Sequence, residues 1–241
     1  MAVQHSYGKT VTSGLVLYLN AADRNSYTSG SATWQDLSGN GNTGALTNGP
    51  TYNGANGGSI VFDGVDDICP IADIPFRFGN TFTISLWFYW DNINKSKNIL
   101  GKRNIASPYV QFGFNIMDSP YLGNASNKLN WFARPDQGDT GNSFDTWLSY
   151  TLGSAGIYNA VVVMAPNNQY LYVNGILQAS ATKNNSTYTW NITGKIYTLG
   201  GTTDVAQWNN KIYQNSIYNR ALSATEVLQN YNASKSRFGL T

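Results

Sequence analysis

The sequence predicts an all-β protein, a jelly-roll sandwich of two antiparallel sheets with one short C-terminal helix. Apolar and polar residues alternate over many short segments, which is typical of strands with one buried face. Clusters of Gly, Asn, Pro and Asp separate these segments and indicate turns. About ten or more strands with a single helical stretch favour a sandwich over other β architectures.

Two segments show the alternation most clearly. In the first, residues 14–20, one face carries Leu15, Leu17 and Leu19. In the second, residues 81–90, one face carries only apolar side chains and the other begins with hydroxyl side chains; the apolar ones are Phe82, Ile84, Leu86, Phe88 and Trp90. Each segment therefore predicts a core strand that buries one face.

A hairpin is predicted over residues 169–181. Two alternating runs flank Asn174-Gly175, a dipeptide that adopts the positive φ angles of a type I′ turn.

The predicted helix begins after Ser223, which can cap it. Glu226 lies three residues later and can accept a hydrogen bond from the backbone amide of the cap. Leu222 and Val227 occupy the positions of a hydrophobic staple. Glu226 is the only glutamate among the 241 residues, and capping explains it without any catalytic role.

We expect a short N-terminal leader at residues 1–12 and a single domain at residues 13–241. Charged residues make up 12% of the chain, about half the usual share. The basic residues form no stripe that would follow nucleic acid, and no apolar stretch approaches the roughly 20 residues of a membrane helix. The N-terminus lacks a secretory signal pattern, so synthesis in the cytoplasm is expected, with no nucleic-acid or membrane partner.

The sequence does not place the residues of common hydrolytic mechanisms in the required arrangement. Glycoside hydrolysis normally uses two carboxylates on opposite sides of the bond, and no predicted strand contains a glutamate. Asp66 and Asp67 are neighbours, which on a strand would point to opposite faces. His5, the single histidine, lies in the leader, and Cys69 has no histidine partner in the domain. The chain is therefore predicted not to be an enzyme.

No cofactor is predicted, and a structural calcium ion is the alternative that the sequence leaves open. Oxygen-bearing side chains have the spacing of calcium ligands in two segments, at Asp36, Ser38, Asn40 and Asn42 and at Asp63, Asp66 and Asp67. A helix-loop-helix site is excluded because its twelfth position is Thr47. Asx turns explain the same residues without an ion. The candidate ligands are Asp36, Asn40, Asp63 and Asp66.

Aromatic residues are more frequent than a core requires, with seven Trp and sixteen Tyr. Trp87 and Trp90 are expected in the core. Others near predicted loops could stack on sugar rings or form protein contacts, and their type does not separate these two partners. The candidates are Trp34, Tyr52, Tyr121, Trp131, Trp147 and Trp208.

Six segments resemble the concanavalin A-like lectin/glucanase superfamily in its laminin-G-like branch. They are residues 14–20, 33–52, 57–67, 82–90, 169–177 and 217–240. The resemblance implies a jelly roll that binds glycans or proteins. Tyr213 stands where many members of this family have an acidic residue that helps to hold calcium, and the catalytic glutamate pair of the glucanases has no counterpart here.

The first and last of these segments are also similar to proteins of marine tailed bacteriophages, including cyanophages. This resemblance implies a virion surface protein, either a capsid decoration or a tail or fibre component. Other virion proteins and host surface glycans are then the expected partners, and virion symmetry favours a homo-oligomer. The alternatives are a free carbohydrate-binding lectin and, less expected, a glycoside hydrolase.

Overall fold

The computed structural model describes residues 9–71, 81–92, 97–103, 111–117, 127–134, 146–183, 197–201 and 207–241. In chain order, its first strands are β1 (Leu15–Asn20), β2 (Thr33–Trp34), β3 (Gly44–Ala45), β4 (Thr51–Asn53), β5 (Ser59–Val61), β6 (Cys69–Ile71), β7 (Phe82–Trp90) and β8 (Lys97–Arg103). They are followed by β9 (Gln111–Met117), β10 (Lys128–Arg134), β11 (Thr146–Thr151), β12 (Gly156–Met164), β13 (Asn168–Val173), β14 (Ile176–Thr182), β15 (Tyr197–Leu199) and β16 (Lys211–Tyr218). Helix α1 (Ala224–Ser234) comes next, and short 3-10 turns cover Ala55–Gly57 and Lys235–Phe238.

The strands form two antiparallel sheets. Sheet A has the order β14-β13-β12-β7-β16-β5-β4, and β1 also pairs with β16. Sheet B has the order β11-β10-β9-β8-β15-β6-β3-β2. The main apolar core contains residues of both sheets. This architecture confirms the predicted all-β jelly-roll sandwich with one short C-terminal helix.

In β1 the predicted alternation holds only in part. Leu17 and Leu19 are fully buried in the main core, as expected. Leu15 instead packs against a second apolar cluster around α1, because the register with β16 shifts between Leu15 and Leu17. An extra residue in one strand reverses the facing of the residues beyond it, so the prediction for Leu15 was wrong.

Strand β7 is buried on both faces, although its sequence predicts one polar, exposed face. The C-terminal segment covers its outer side and bonds the hydroxyl of Thr83. Thr83 Oγ1 donates to the carbonyl oxygen of Arg220 at 2.9 Å and accepts from the backbone amide of Leu222 at 3.0 Å. Trp87, 1% exposed, stacks on Tyr231 with ring centroids 5.6 Å apart and planes 5° apart. The sandwich therefore has a third, helical layer over sheet A.

The hairpin prediction is confirmed. Strands β13 and β14 pair across Asn174 and Gly175, whose φ angles are 50° and 76°. These left-handed conformations are the ones that a type I′ turn requires.

Helix α1 has the predicted capping box. The backbone amide of Glu226 donates to Ser223 Oγ at 3.3 Å, and the backbone amide of Ser223 donates to Glu226 Oε2 at 2.8 Å. Leu222 and Val227, 4% and 1% exposed, are buried in the same cluster. Within the described ranges, no helix has both the length and the apolar character needed to cross a bilayer.

Part of the predicted leader packs against the domain. The backbone amide of Val11 donates to Asn230 Oδ1 on α1 at 2.8 Å, and its carbonyl oxygen accepts from the Tyr218 hydroxyl at 3.0 Å. The Val11 side chain is 9% exposed. Residues 1–8 lie outside the described residues.

We expect Trp87→Ala to lower the free energy of unfolding by about 3–5 kcal/mol, the usual cost of truncating a buried tryptophan. The substitution removes the ring on which Tyr231 and Phe238 stack. Urea unfolding followed by circular dichroism measures the change. The control is Val65→Ala at a side chain that is 75% exposed, which should stay within about 0.5 kcal/mol of wild type. Equal effects of the two substitutions would contradict the three-layer packing.

Candidate functional site

Three of the predicted aromatic platforms lie in the core. Trp34, Trp131 and Trp208 are each 0% exposed. No sugar or partner protein can stack on a fully covered ring, so these three predictions were wrong. Their segments border loops in the sequence, but the fold places each ring in the main apolar core. Trp87 and Trp90 are buried, as predicted.

The other three candidates have different environments. Trp147 on β11 is half-buried and lies against Phe132 on β10, with ring centroids 5.7 Å apart. Tyr121 lies outside the described residues. Tyr52 on β4 is 36% exposed and lines an open pocket, so it is the candidate that the structure places in a concave surface.

The pocket lies at one edge of the sandwich and has a volume of about 390 Å³. There the chain crosses twice between the sheets, once from β1 to β2 and once from β3 to β4. Residues of both crossings and of β4 form its walls. They are Tyr27, Ser29, Gly30, Ser31, Ala32, Leu46, Gly49, Pro50, Thr51 and Tyr52.

Two tyrosines form the aromatic part of the pocket. The rings of Tyr27 and Tyr52 have centroids 5.3 Å apart and planes tilted by 33°. Tyr27 is 6% exposed, and a tight turn fixes its backbone, since its amide donates to the carbonyl oxygen of Asp23 at 2.8 Å. Ser26 ties the same turn to β1 by accepting from the backbone amide of Asn20 at 3.0 Å. Tyr27 is thus held rigidly beside the more exposed Tyr52.

Behind Tyr52 the backbone approaches closely at Gly58. A Cβ atom there would lie 2.5 Å from the Tyr52 hydroxyl oxygen and 2.5 Å from the carbonyl oxygen of Ala21. Its φ angle of +128° is also unfavourable for other residues. Only glycine allows the backbone at residue 58 to lie this close to the Tyr52 hydroxyl.

Arg237 holds the turn behind Tyr52. Its Nε donates to the carbonyl oxygen of Asn56 at 2.7 Å, its Nη1 donates to Asn20 Oδ1 at 2.9 Å, and its Nη2 donates to the carbonyl oxygen of Gly58. Burial lowers the pKa of Arg237 to about 10, which leaves the guanidinium charged at neutral pH. Sequence analysis missed Tyr27, Gly58 and Arg237. For Arg237, no sequence spacing indicates its contacts with residues 56 and 58.

None of the ten lining residues that the structure describes is Asp, Glu, Lys, Arg or His. The polar groups of the pocket are hydroxyls and backbone amides, which form hydrogen bonds without carrying charge at neutral pH. The described lining therefore offers hydroxyls, backbone amides and aromatic surface, without a carboxylate, an imidazole or an amine.

Glu226 has the structural role that the sequence predicts. Besides capping α1, it forms a two-point ion pair with Arg220, at 2.9 Å from Nη1 to Oε2 and 2.6 Å from Nη2 to Oε1. The Arg220 hydrogen bonds, followed by the Ser223 amide, lower the pKa of Glu226 to about 2. A carboxylate that stays ionised and bonded in this way is unsuited to donate a proton to a substrate. Sequence analysis missed Arg220 as its partner.

Asp36 organises the first of the two candidate calcium segments. Its Oδ1 accepts from the backbone amides of Tyr18 and Ser38 at 2.9 and 2.8 Å. Its Oδ2 accepts from Ser38 Oγ at 2.7 Å and from the backbone amide of Asn42 at 2.9 Å. Asn40 Nδ2 donates to the carbonyl oxygen of the first residue of β1 at 3.2 Å. Protein donors thus occupy both carboxylate oxygens, and the residues fix the loop against β1.

The second segment brings Asp63, Asp66 and Asp67 together, with one carboxylate oxygen of each within 4.8 Å of the others. They lie in a turn after β5, so the expectation that Asp66 and Asp67 point apart on a strand was wrong. Asp67 is 3% exposed and accepts from the backbone amide of Asp63 at 2.9 Å. Burial raises the pKa of Asp67, and the hydrogen bond from the Val65 amide lowers that of Asp63.

These three side chains could hold a cation, but Asp36 and Asn40 belong to the separate loop beside β1. The four candidate ligands are thus not assembled into one cluster. As an acid and base pair for hydrolysis the cluster is also poor, because the carboxyl group of Asp67 is covered.

Two further residues of the sequence analysis are buried. Cys69 is 0% exposed, and burial raises the pKa of its thiol, so it is an inert core residue. Tyr213, which replaces the acidic residue of the family pattern, is 1% exposed and packs edge-on against Phe238 with ring centroids 5.0 Å apart. His5 lies outside the described residues.

Comparison with known proteins agrees with this architecture. Residues 62–228, more than half of the chain, match the family model described as the concanavalin A-like lectin/glucanases superfamily. No curated protein matches the chain in sequence.

Solved structures share the fold at low sequence identity. Domain 4 of AbnA, a GH43 extracellular arabinanase from Geobacillus stearothermophilus, in complex with arabinotriose, has a TM-score of 0.65 and 16% identity over 90% of this chain and 98% of that one. The binding domain of Paraclostridial Mosquitocidal Protein 1 has a TM-score of 0.66 and 18% identity over 91% of this chain and 52% of that one. The binding domain of botulinum neurotoxin serotype D has a TM-score of 0.66 and 12% identity over 92% of this chain and 52% of that one. This chain thus spans about half of each toxin structure.

We expect Glu226→Gln to destabilise the protein by about 1–2 kcal/mol at pH 7, allowing for the partial exposure of the ion pair. Because the folded-state pKa is depressed from 4.5 to about 2, the ionised carboxylate stabilises the fold above pH 4.5. The stabilisation disappears as the pH falls towards 2. Urea unfolding at several pH values measures the difference from wild type. Thr225→Ala, an exposed change in the same turn, should give a difference independent of pH. A Glu226→Gln effect that remained constant down to pH 2 would contradict this account.

We expect EDTA to leave the melting temperature unchanged, because loop hydrogen bonds already account for Asp36 and Asp67. Differential scanning fluorimetry with EDTA, and with EDTA presaturated with calcium as the control, checks this. A ligand that binds only the folded state raises its stability. A fall of several degrees in EDTA alone would therefore establish a structural cation.

Proposed function

Because the chain belongs to the concanavalin A-like lectin/glucanases superfamily, we propose that it is a non-catalytic binding module on the surface of a bacteriophage virion. It serves as a capsid decoration or as a tail or fibre component and contributes to adhesion to the host through glycan or protein contacts. Other virion proteins hold it in place, and it acts as a homo-oligomer.

The observation that carries the binding role is the uncharged pocket at Tyr52. It combines an exposed aromatic ring with hydroxyl side chains on a rigid edge of the sandwich. Concave sites of this composition bind small ligands. The single glutamate is committed to the helix cap, so the chain has no glutamate available for catalysis.

The structural neighbours support a binding module. Of the three neighbours described above, one is a domain of an arabinanase solved with arabinotriose and two are toxin binding domains. Another neighbour is the binding domain of botulinum neurotoxin DC in complex with SialylT. The low sequence identities establish only that this chain has the same fold as these proteins. The binding roles named for them are our support for proposing a binding role here.

The virion location rests on the sequence resemblance of residues 14–20 and 217–240 to tailed-phage proteins. Many copies on one particle would convert weak single-site affinity into strong attachment. The second candidate is a free carbohydrate-binding lectin, which the same pocket supports. Its distinguishing property is that it would function away from the particle.

A glycoside hydrolase is the third candidate, and the buried state of Asp67 argues against it. We expect no reducing-sugar release from neutral polysaccharides such as laminarin or arabinan. Sustained release by the purified protein, abolished by Asp67→Asn, would replace the binding proposal with an enzymatic one.

Peptide mass spectrometry of gradient-purified virions of the source phage tests the location. We expect peptides of this chain in many copies per particle and their loss in a deletion mutant. A host protein of similar abundance that does not belong to the particle serves as the contamination control. Absence of the chain from intact virions, together with its presence in the lysate, would favour the free lectin.

A further inference from the structure

The structure assigns the pocket between Tyr27 and Tyr52 as the subsite for one or two rings of an uncharged saccharide. This inference rests on the proposed binding function and specifies its ligand. The relevant features are the size of the pocket, its aromatic surface, its polar groups, its lack of charge and its rigid support.

The size of the pocket suits a small ligand. A volume of about 390 Å³ lies near the lower end of the roughly 300–1,000 Å³ that is usual for ligand pockets. Because the pocket is open at the sandwich edge, the remainder of an oligosaccharide could extend into solvent. The pocket thus fits a chain end or a short segment of a glycan.

Tyr52 provides the apolar contact. Tyr52 is 36% exposed, whereas Tyr27, the other tyrosine that lines the pocket, is 6% exposed. The C–H face of a sugar ring packs on such an aromatic surface. The ring of Tyr27 lies beside it, at 5.3 Å between ring centroids.

The remaining walls carry hydroxyls. Ser29, Ser31 and Thr51 line the pocket. The Ser31 hydroxyl already bonds to Thr33, and the hydroxyls of Ser29 and Thr51 can both donate and accept a hydrogen bond. Sugar hydroxyls have the same dual capacity, so the two sets are complementary.

Charge distinguishes the class of saccharide. None of the described lining residues is cationic, so a sialic acid, uronic acid or sulfated sugar would lose hydration without gaining an ion pair there. Arg237 is charged, but it is not among the described lining residues, and its three nitrogens donate to Asn56, Asn20 and Gly58. The pocket therefore selects neutral sugars.

The support is rigid before a ligand arrives. Arg237 fixes the turn at Ala55–Gly57, and Gly58 brings that turn against the Tyr52 hydroxyl. Preorganised sites lose less entropy on binding. The ten described lining residues lie within positions 27–52, before the family match begins at residue 62. The described part of the subsite thus lies outside the matched region.

The test compares the wild-type chain with Tyr52→Ala and with Leu177→Ala. Leu177 is 48% exposed on β14, at the opposite end of sheet A from β4, so it controls for loss of an exposed apolar side chain. Each protein is applied to an array of neutral and anionic glycans. The neutral saccharide with the highest signal, with arabinotriose as a fixed reference, is then titrated by calorimetry or NMR.

We expect wild type to bind neutral glycans in preference to sialylated, uronated or sulfated ones. Tyr52→Ala should weaken binding about tenfold or more, whereas Leu177→Ala should stay within about twofold. Tyr52→Phe, which keeps the ring, should retain most of the affinity. Melting temperatures verify that each variant is folded, and Tyr52→Phe keeps the test decisive if Tyr52→Ala fails to fold.

Two results would overturn the subsite and leave the binding function standing. One is glycan binding that Tyr52→Ala leaves unchanged, and the other is binding restricted to anionic glycans. A wild-type chain that binds no glycan on the array would instead overturn glycan binding itself, and the subsite with it.

Discussion

The pairing of β7 with β16 at the centre of sheet A is the interaction on which the rest of the structure depends. Both strands are buried on both faces, so every polar group on them requires a protein partner. Asn215 Nδ2 donates to the carbonyl oxygen of Ser85 at 3.0 Å, and Asn159 Nδ2 donates to Ser85 Oγ at 3.1 Å. Tyr197 on sheet B donates its hydroxyl to Asn215 Oδ1 at 3.1 Å. This last bond crosses the core and fixes the two sheets relative to each other.

The need to cover this strand pair also determines the pocket. Helix α1 and the turn after it lie over the outer face of β7 through Trp87, Tyr231 and Phe238. The same turn carries Arg237, which reaches back to the end of β1 and to the turn behind Tyr52. One C-terminal segment thus closes the sheet and supports the wall of the pocket. Stability of the sandwich and the geometry of the site are coupled through that segment.

The described acidic residues near the candidate sites have structural tasks. Glu226 caps α1, Asp36 fixes a loop against β1, and Asp67 holds the turn after β5. The pocket that we propose for binding is lined by uncharged described residues, which agrees with a composition poor in charge and rich in Tyr, Asn, Ser and Thr.

Local sequence determined the features that depend on neighbouring residues. The strand alternation, the Asn174-Gly175 turn and the cap at Ser223 and Glu226 follow from side-chain period and backbone preference, so each was predictable from a few adjacent residues. Tertiary structure decided which aromatic side chains are covered, that Leu15 leaves the main core, and that Tyr27 and Arg237 serve the pocket around Tyr52. Those outcomes depend on contacts between residues far apart in the chain, such as Arg237 with Asn56 at a separation of 181 positions. The physical reason is that burial is a property of the packed layers, and no short stretch of sequence contains both sides of a contact.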